Sequence, residues 1–217
     1  MFQLVLQEAL VTENPYAVTN RWSRQAGDRR HYSVITGTWQ LPLGKGRRFL
    51  NSVPGPVNHA LGGWTLNTIS YFTSGFFFSP SFSGSDPSNT NTVGGLPDRI
   101  ANGNLSGGQR SYARWFDPSA FRAPAPGTFG NSSANVLVGQ GINVHHMSLM
   151  KRFKFTDRLS TIFTAMISNA FNSPHFVEPS GNISVPATVG RFTTSVSDFD
   201  AEKHVGRRMA MMLRVEF

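Results

Sequence analysis

The chain has no cysteine. That removes disulfide frameworks, thiolate zinc sites and cysteine nucleophiles together, and it suits a chain that crosses an oxidising space without forming stray disulfides. Charge is scarce as well. Only 15% of residues are charged, against roughly 25% in an ordinary soluble domain. Acidic groups are the rarest, 12 against 20 Lys and Arg, for a formal charge of +8. Paired carboxylates for acid–base chemistry therefore have few candidates, and most of these sit in loop-like sequence. Long apolar runs are missing too. No stretch approaches the ~18 residues of a membrane-spanning helix. This excludes helical spans alone, because a membrane strand needs only alternation over about ten residues. Met1 to Leu10 (MFQLVLQEAL) does not read as a secretory signal. It has no basic n-region, carries Glu8 within its apolar stretch, and lacks a small-residue cleavage site.

What is present points to β structure. Aromatics make up 12%, with 18 Phe, and Gly (21) and Pro (13) are somewhat high. Disordered chains are poor in aromatics, and helical bundles need Ala, Glu, Lys and Leu in quantity. The basic residues form short scattered pairs: Arg29-Arg30, Arg47-Arg48, Lys151-Arg152 and Arg207-Arg208. They make no dense stripe and no known motif, so nucleic acid is not an expected partner.

Period-two alternation dominates, in segments of about ten residues divided by polar, Gly/Pro-rich sequence. From Met209 the chain runs MAMMLRVEF. Met209, Met211, Leu213, Val215 and Phe217 share one face, and Arg208, Ala210, Met212, Arg214 and Glu216 the other. In Ser160 to Phe171, Thr161, Phe163, Ala165 and Ile167 fall together. In Asn143 to Phe155, His145, Met147, Leu149, Lys151, Phe153 and Phe155 oppose His146, Ser148, Met150, Arg152 and Lys154. Trp64 to Phe76 and His31 to Leu41 are further strands, and Met1 to Leu10 is a weaker sixth. A helical turn is expected near Val57 to Leu61. The pattern specifies an all-β fold of antiparallel up-and-down strands. A strand with one apolar and one charged face fits a barrel with lipid outside and water inside.

The connections alternate in length. Thr156 to Leu159 is a tight turn, whereas Phe76 and Asn143 are separated by more than 60 residues. With Phe217 on the short-turn, periplasmic side, that turn is periplasmic. The segments Asn172 to Val205, Phe77 to Ile142 and Val11 to Arg30 then all become extracellular loops. The Leu41 to Trp64 connection is the misfit, being long for a periplasmic turn. Trp39 and Trp64 flank it, where an interfacial aromatic girdle belongs.

Few residues suggest chemistry. His145 and His146 are adjacent on a strand and point to opposite faces, so they cannot readily chelate one ion. His31, His59, His175 and His204 stand alone, and no G-x-S-x-G elbow occurs. Asp86 to Gly108 offers Asp86, Asn89, Asn91, Asp98, Asn102 and Asn104 as oxygen ligands for calcium. Its bland reading is a turn-rich surface loop, and that reading is favoured. Trp115, Phe116 and Phe121 either stack on a ligand or staple an external loop to the barrel rim. No catalytic residue, metal or cofactor is assigned, and the chain is not read as an enzyme.

Several longer segments carry a resemblance. DRRHYSVITGTWQLPLGKGRRF (Asp28 to Phe49), ALGGWTLNTISYFTSGFFFSP (Ala60 to Pro80), LPDRIANGNL (Leu96 to Leu105), RWFDPSAFRAPAPGTFGNSSANVLVGQGIN (Arg114 to Asn143) and SNAFNSPHF (Ser168 to Phe176) occur in this order. Together they resemble the C-terminal barrel region of TonB-dependent receptor-like outer-membrane proteins, in the Oar-like subgroup that carries a carboxypeptidase-regulatory-like domain. The resemblance implies a barrel of about 22 strands around a plug, importing bulky substrates such as metal chelates or glycans with energy from the TonB complex. It also implies that Met209, Met211, Leu213, Val215 and Phe217 form the signal read by the outer-membrane barrel assembly machinery. About six strands are fewer than the eight of the smallest bacterial barrels. Residues 1–217 are thus expected to be a C-terminal fragment, a partial transmembrane barrel with plug and signal peptide absent. Its partners would be outer-membrane lipid, the assembly machinery and, through missing N-terminal parts, the TonB complex. The rival expectation is a soluble secreted all-β module that binds a ligand or glycan. Such a module would bury the Met209 to Phe217 face under a second sheet.

The lipid reading predicts that the chain expressed alone in water aggregates, because its outer face lacks lipid and its terminal strands lack partners. Size-exclusion chromatography with thermal melting checks this. A monodisperse, cooperatively melting monomer would contradict it.

Overall fold

The computed structural model describes residues 23–25, 27–195 and 206–217. In chain order the elements are β1 (Tyr32–Gln40), α1 (Gly55–Leu61), β2 (Trp64–Thr73), β3 (Phe77–Phe78), β4 (Asp98–Arg99), β5 (Phe121–Arg122), β6 (Leu137–Val138), β7 (Ile142–Lys154), β8 (Ser160–Ser168) and β9 (Arg208–Glu216), with short 3₁₀ turns at Gly107–Gln109 and Pro118–Ala120. They fall into two units.

The larger strands form one antiparallel sheet in the order β1-β2-β7-β8-β9, so each pairs with the strand before and after it among the long ones. Tyr32 faces Thr73, Trp64 faces Lys151, Lys154 faces Ser160, and Ser168 faces Arg208. Two connections, 41–63 and 155–159, therefore lie at one end of the sheet. The long ones leave from the other end. The chain turns back tightly between β7 and β8, where the Phe155 and Thr156 N–H groups donate to the Leu159 carbonyl at 3.0 and 3.2 Å. The sheet is open, as a partial barrel is. β1 and β9 are its edges, and no second sheet covers the β9 face among the described residues.

Five expected strands occur where the alternation placed them. Met1 to Leu10 lies outside the described residues, as does His204. Two strands end earlier than the alternation suggests. The segment from Ser160 stops at Ser168 because Asn169 takes a left-handed φ of 48°. Its amide side chain closes a turn, accepting from Ser173 N–H and donating to Ser173 C=O, both at 2.9 Å. The segment from Trp64 stops at Thr73, two residues before Gly75. A Cβ on Gly75 would lie 2.0 Å from the Gly139 carbonyl oxygen. Only glycine permits that approach, and it brings the two ends of the 75–140 connection together.

That connection is not a bare loop. With Val177–Thr194 it makes the second unit, which has its own core of Phe116, Ala120, Phe121 and Leu137. Phe78, Val136, Ile183 and Val189 pack around it. Two-residue ladders, β3 with β6 and β4 with β5, provide little regular hydrogen bonding. Side chains supply the rest. Asn104 imitates a strand neighbour, its amide donating to Val136 C=O at 2.8 Å and accepting from Val138 N–H at 3.0 Å. Asn89, Asn91 and Asn135 hold positive φ, a conformation asparagine tolerates better than most residues. At Gly130 a Cβ would sit 1.9 Å from the Leu96 carbonyl oxygen, so this backbone crossing also needs glycine.

Phe116 is 1% exposed and meets the rings of Phe78 and Phe121 edge-on. Phe116→Ala is expected to cost about 3–5 kcal/mol, from lost transfer energy and the cavity left behind. Limited proteolysis should then cut between residues 80 and 130 at protease levels that leave the parent chain intact.

Candidate functional site

Register sorts the sheet into two faces. One carries Trp39 from β1, Trp64, Leu66 and Phe72 from β2, and Met147, Leu149 and Phe153 from β7. Phe163, Ala165 and Ile167 from β8 and Met209, Met211, Leu213 and Val215 from β9 complete it. The β9 members are among the most exposed apolar groups in the protein: Met209 67%, Met211 76%, Leu213 67% and Val215 52%. Phe217 follows directly, fully exposed. A soluble sandwich would bury this row, so the exposure counts against that alternative.

Aromatic groups gather at the two margins of the apolar face. Trp64 meets Phe153 and Phe163 edge-on, with centroids 6.4 and 6.1 Å apart, at the short-connection end. Phe72, His145 and Phe171 cluster at the other end, with centroids 5.3 and 5.0 Å apart. Trp64 and Phe72 are separated by about 26 Å of strand at ~3.3 Å per residue, and by somewhat less in depth once the strand tilts. The apolar band of a membrane barrel is ~25 Å tall between its aromatic girdles.

Lys151 breaks the apolar face and is satisfied locally. It is 3% exposed. Its ammonium donates to the His59 carbonyl and, at 2.8 Å, to the Ala60 carbonyl. These are the last carbonyls of α1, where a helix presents unpaired acceptors and a partial negative charge. The rings of Trp64 and Phe153 lie 5.4 and 4.7 Å from the same nitrogen. Trp64 also donates its indole N–H to Ala60 C=O at 3.1 Å. The long 41–63 connection, anomalous as a simple turn, thus carries a helix that covers a buried cation.

The opposite face is mixed, with polar groups linked across the strands between Val34, Ile69, Ile162 and Met212. Thr38 Oγ1 donates to Asn67 Oδ1 at 2.9 Å, and Asn67 Nδ2 to Ser148 Oγ at 3.4 Å. Arg152 meets Glu216 at 2.6 Å, and Arg214 reaches the same carboxylate at 3.4 Å. Arg208 lies on this face too. An open depression of about 340 Å³ is lined by Asn67, Tyr71, His146 and Ser148 together with the apolar Ile69, Met147, Met166 and Ile167. His145 and His146 point to opposite faces. His145 Nδ1 lies 2.8 Å from Ser70 Oγ, and the His146 ring meets Tyr71 edge-on.

The loop residues considered for ligand contact separate. Phe116 and Phe121 belong to the core of the second unit. Trp115 is half-buried, donates its indole N–H to Val138 C=O at 2.7 Å, and stacks edge-on against Phe192. Tyr112, 50% exposed, joins Phe192 in this cluster. Phe192 and Tyr112 lie 80 residues apart, so alternation gave no hint that they meet. The oxygen-rich residues of 86–108 serve separate turns. Asp86 accepts from Ser88 and Asn91, both at 2.7 Å, while Asp98 accepts from Asn131 N–H at 3.2 Å.

An antiparallel sheet with one lipid-compatible face and one water-compatible face, edged by aromatic rows, defines a protein that crosses a membrane with strands. The family model described as "Outer membrane beta barrel domain" matches residues 5–209. The chain belongs to that family, which places it in the outer membrane of a Gram-negative-type bacterium. No curated protein and no solved structure matches it significantly.

Two predictions follow from this geometry. Lys151→Met removes the donor from the His59 carbonyl and leaves Ala60 only the Trp64 indole, and it is expected to cost about 1–3 kcal/mol. A red shift of tryptophan emission in detergent checks it, and Lys151→Arg should restore the parent spectrum. Asp117 provides a pH signature. The Ser119 hydroxyl, foremost, with Arg114 at 3.0 Å, holds its carboxyl below the ordinary carboxylate range. A lowered folded pKa gives stability that is present above about pH 4 and lost as pH falls through it. Amide-exchange protection at Ser119 and Ala120 should therefore hold from neutral pH and then drop in acid. In Asp117→Asn it should be lower and flat.

Proposed function

We propose that the chain is the C-terminal barrel segment of a TonB-dependent outer-membrane receptor, with a transport rather than a catalytic role. In the intact protein it would help import bulky substrates using energy from the TonB complex. The observation that carries this reading is the second unit. A connection that folds on its own core between two barrel strands is suited to binding a large ligand, whereas a narrow structural barrel needs only turns. The ordered resemblance from Asp28 to Phe176 supports the same family, and the Arg208/Arg214 face would line a lumen wide enough for a plug. Trp115, with Tyr112 and Phe192, is the aromatic group from which loop contact with a substrate is expected.

The reading extends to assembly. Met209, Met211, Leu213, Val215 and Phe217 present an apolar row at the end of the sheet, and we assign it as the signal for the barrel assembly machinery. Outer-membrane lipid is the partner of the same face.

Deleting the gene in its host should abolish uptake of one bulky chelate or glycan in a nutrient panel, and inactivating the TonB complex should have the same effect. Uptake that persists without the TonB complex would overturn energised import. Removing Phe217 alone is expected to lower the surface-assembled amount several-fold, measured by outer-membrane fractionation. An unchanged amount would overturn the assembly assignment.

A further inference from the structure

Residues 49–63 of the long connection contain no Asp, Glu, Lys or Arg. Within them α1 is set against the apolar face of the sheet. Trp64, Lys151 and Phe153 share that face by register, and all three meet the helix. Trp64 and Lys151 bond its carbonyls. Phe153 and Phe155 meet the His59 ring, with centroids 5.6 and 6.0 Å away.

The position of His59 fixes where the rest of the helix points. Residues two apart on an α-helix differ by about 200° in direction. Val57 and Leu61, each two positions from His59, therefore project away from the side that His59 turns to the sheet. At i and i+4 they stand one above the other. Both are exposed, and the helix has no buried residue at all. Packing within the protein does not account for this apolar pair.

The backbone of α1 is prepared for a place with little water. The Asn58 carbonyl accepts from Gly62 N–H at 2.8 Å. The His59 carbonyl accepts from the Lys151 ammonium, and the Ala60 carbonyl from that ammonium and the Trp64 indole together. In the first turn Pro56 has no N–H to satisfy, and Asn58 N–H donates to Pro54 C=O at 2.9 Å. Bulk water would supply such partners to an exposed helix end. At the edge of hydrocarbon the protein must supply them itself.

We propose that α1 is an interfacial anchor, lying on the lipid side of the barrel wall with Val57 and Leu61 inserted among the acyl chains of the leaflet at the short-connection end. Lipid is the occupant because α1 continues the face that is assigned to lipid, at the level of its Trp64 and Phe153 margin. A short helix with one apolar side settles at the boundary of headgroups and chains. The inference rests on the sheet lying in a bilayer, not on what the protein transports.

The chain has no cysteine, so Val57→Cys and Leu61→Cys each place a single nitroxide label in it. The intact protein is reconstituted in phosphatidylcholine vesicles and read by power-saturation electron paramagnetic resonance. Oxygen concentrates in hydrocarbon, and a neutral nickel chelate stays in water. The oxygen-to-nickel collision ratio is expected to be several-fold higher at both positions than at Asp157→Cys in the neighbouring turn. It should lie nearer that of Met211→Cys on the apolar row of β9. A ratio equal to that at Asp157→Cys would overturn the anchor. Low collision with both reagents would overturn lipid as the occupant and show protein packed on the helix instead. Heat-modifiable migration on gels establishes that each labelled protein is folded before it is read.

Discussion

Every backbone N–H and C=O that enters a hydrocarbon layer as strand must be satisfied by a neighbouring strand, since no water is there to do it. This constraint explains much of the protein. It fixes an antiparallel ladder from β1 to β9 with regular register at each interior pair. It forces irregular backbone out of the sheet and into the connections, where asparagine side chains and glycine approaches satisfy or permit what a ladder would otherwise supply. It also gives meaning to the two edges. Among the described residues β1 and β9 are the edges of the sheet, and a bilayer does not tolerate an open edge, so the sheet calls for further strands on both sides.

The same constraint decides what can be read from sequence. Strand residues alternate between two solvents, and alternation is legible. The five described strands and their faces follow from it, including the opposed His145 and His146 and the apolar row of β9. The turn at Thr156 to Leu159 was legible from its length. The helix at Gly55–Leu61 showed only as a helical turn, because seven residues carry too little periodicity to mark its full extent.

What escaped the sequence depends on long-range contact. Nothing in the local pattern around Lys151 announces that the carbonyls of His59 and Ala60 will cap its ammonium. A lysine on an apolar face reads as an exception until α1 is placed over it. The second unit was hidden for a related reason. Its core draws Phe116, Phe121 and Leu137 from segments without period, tied by ladders only two residues long. Asn104 hydrogen-bonding in place of a strand is invisible to any count of β-formers. Such a segment has a loop's composition and a small domain's packing.

The uneven placement of charge has a mechanical consequence for how the protein reaches its final state. Any strand hairpin that enters a bilayer must drag one of its ends through the hydrocarbon, and an unmatched charge makes that passage costly. The connection between β2 and β7 carries nearly balanced charge, with Arg114 and Arg122 each paired to a carboxylate. The opposite end, residues 41–63, 150–159 and 214–217, holds eight Lys and Arg against Asp157 and Glu216. The chain is thereby polarised for threading: the nearly neutral end is the easier one to pass across, and the cationic end acts as a stop that holds the sheet at its depth once inserted.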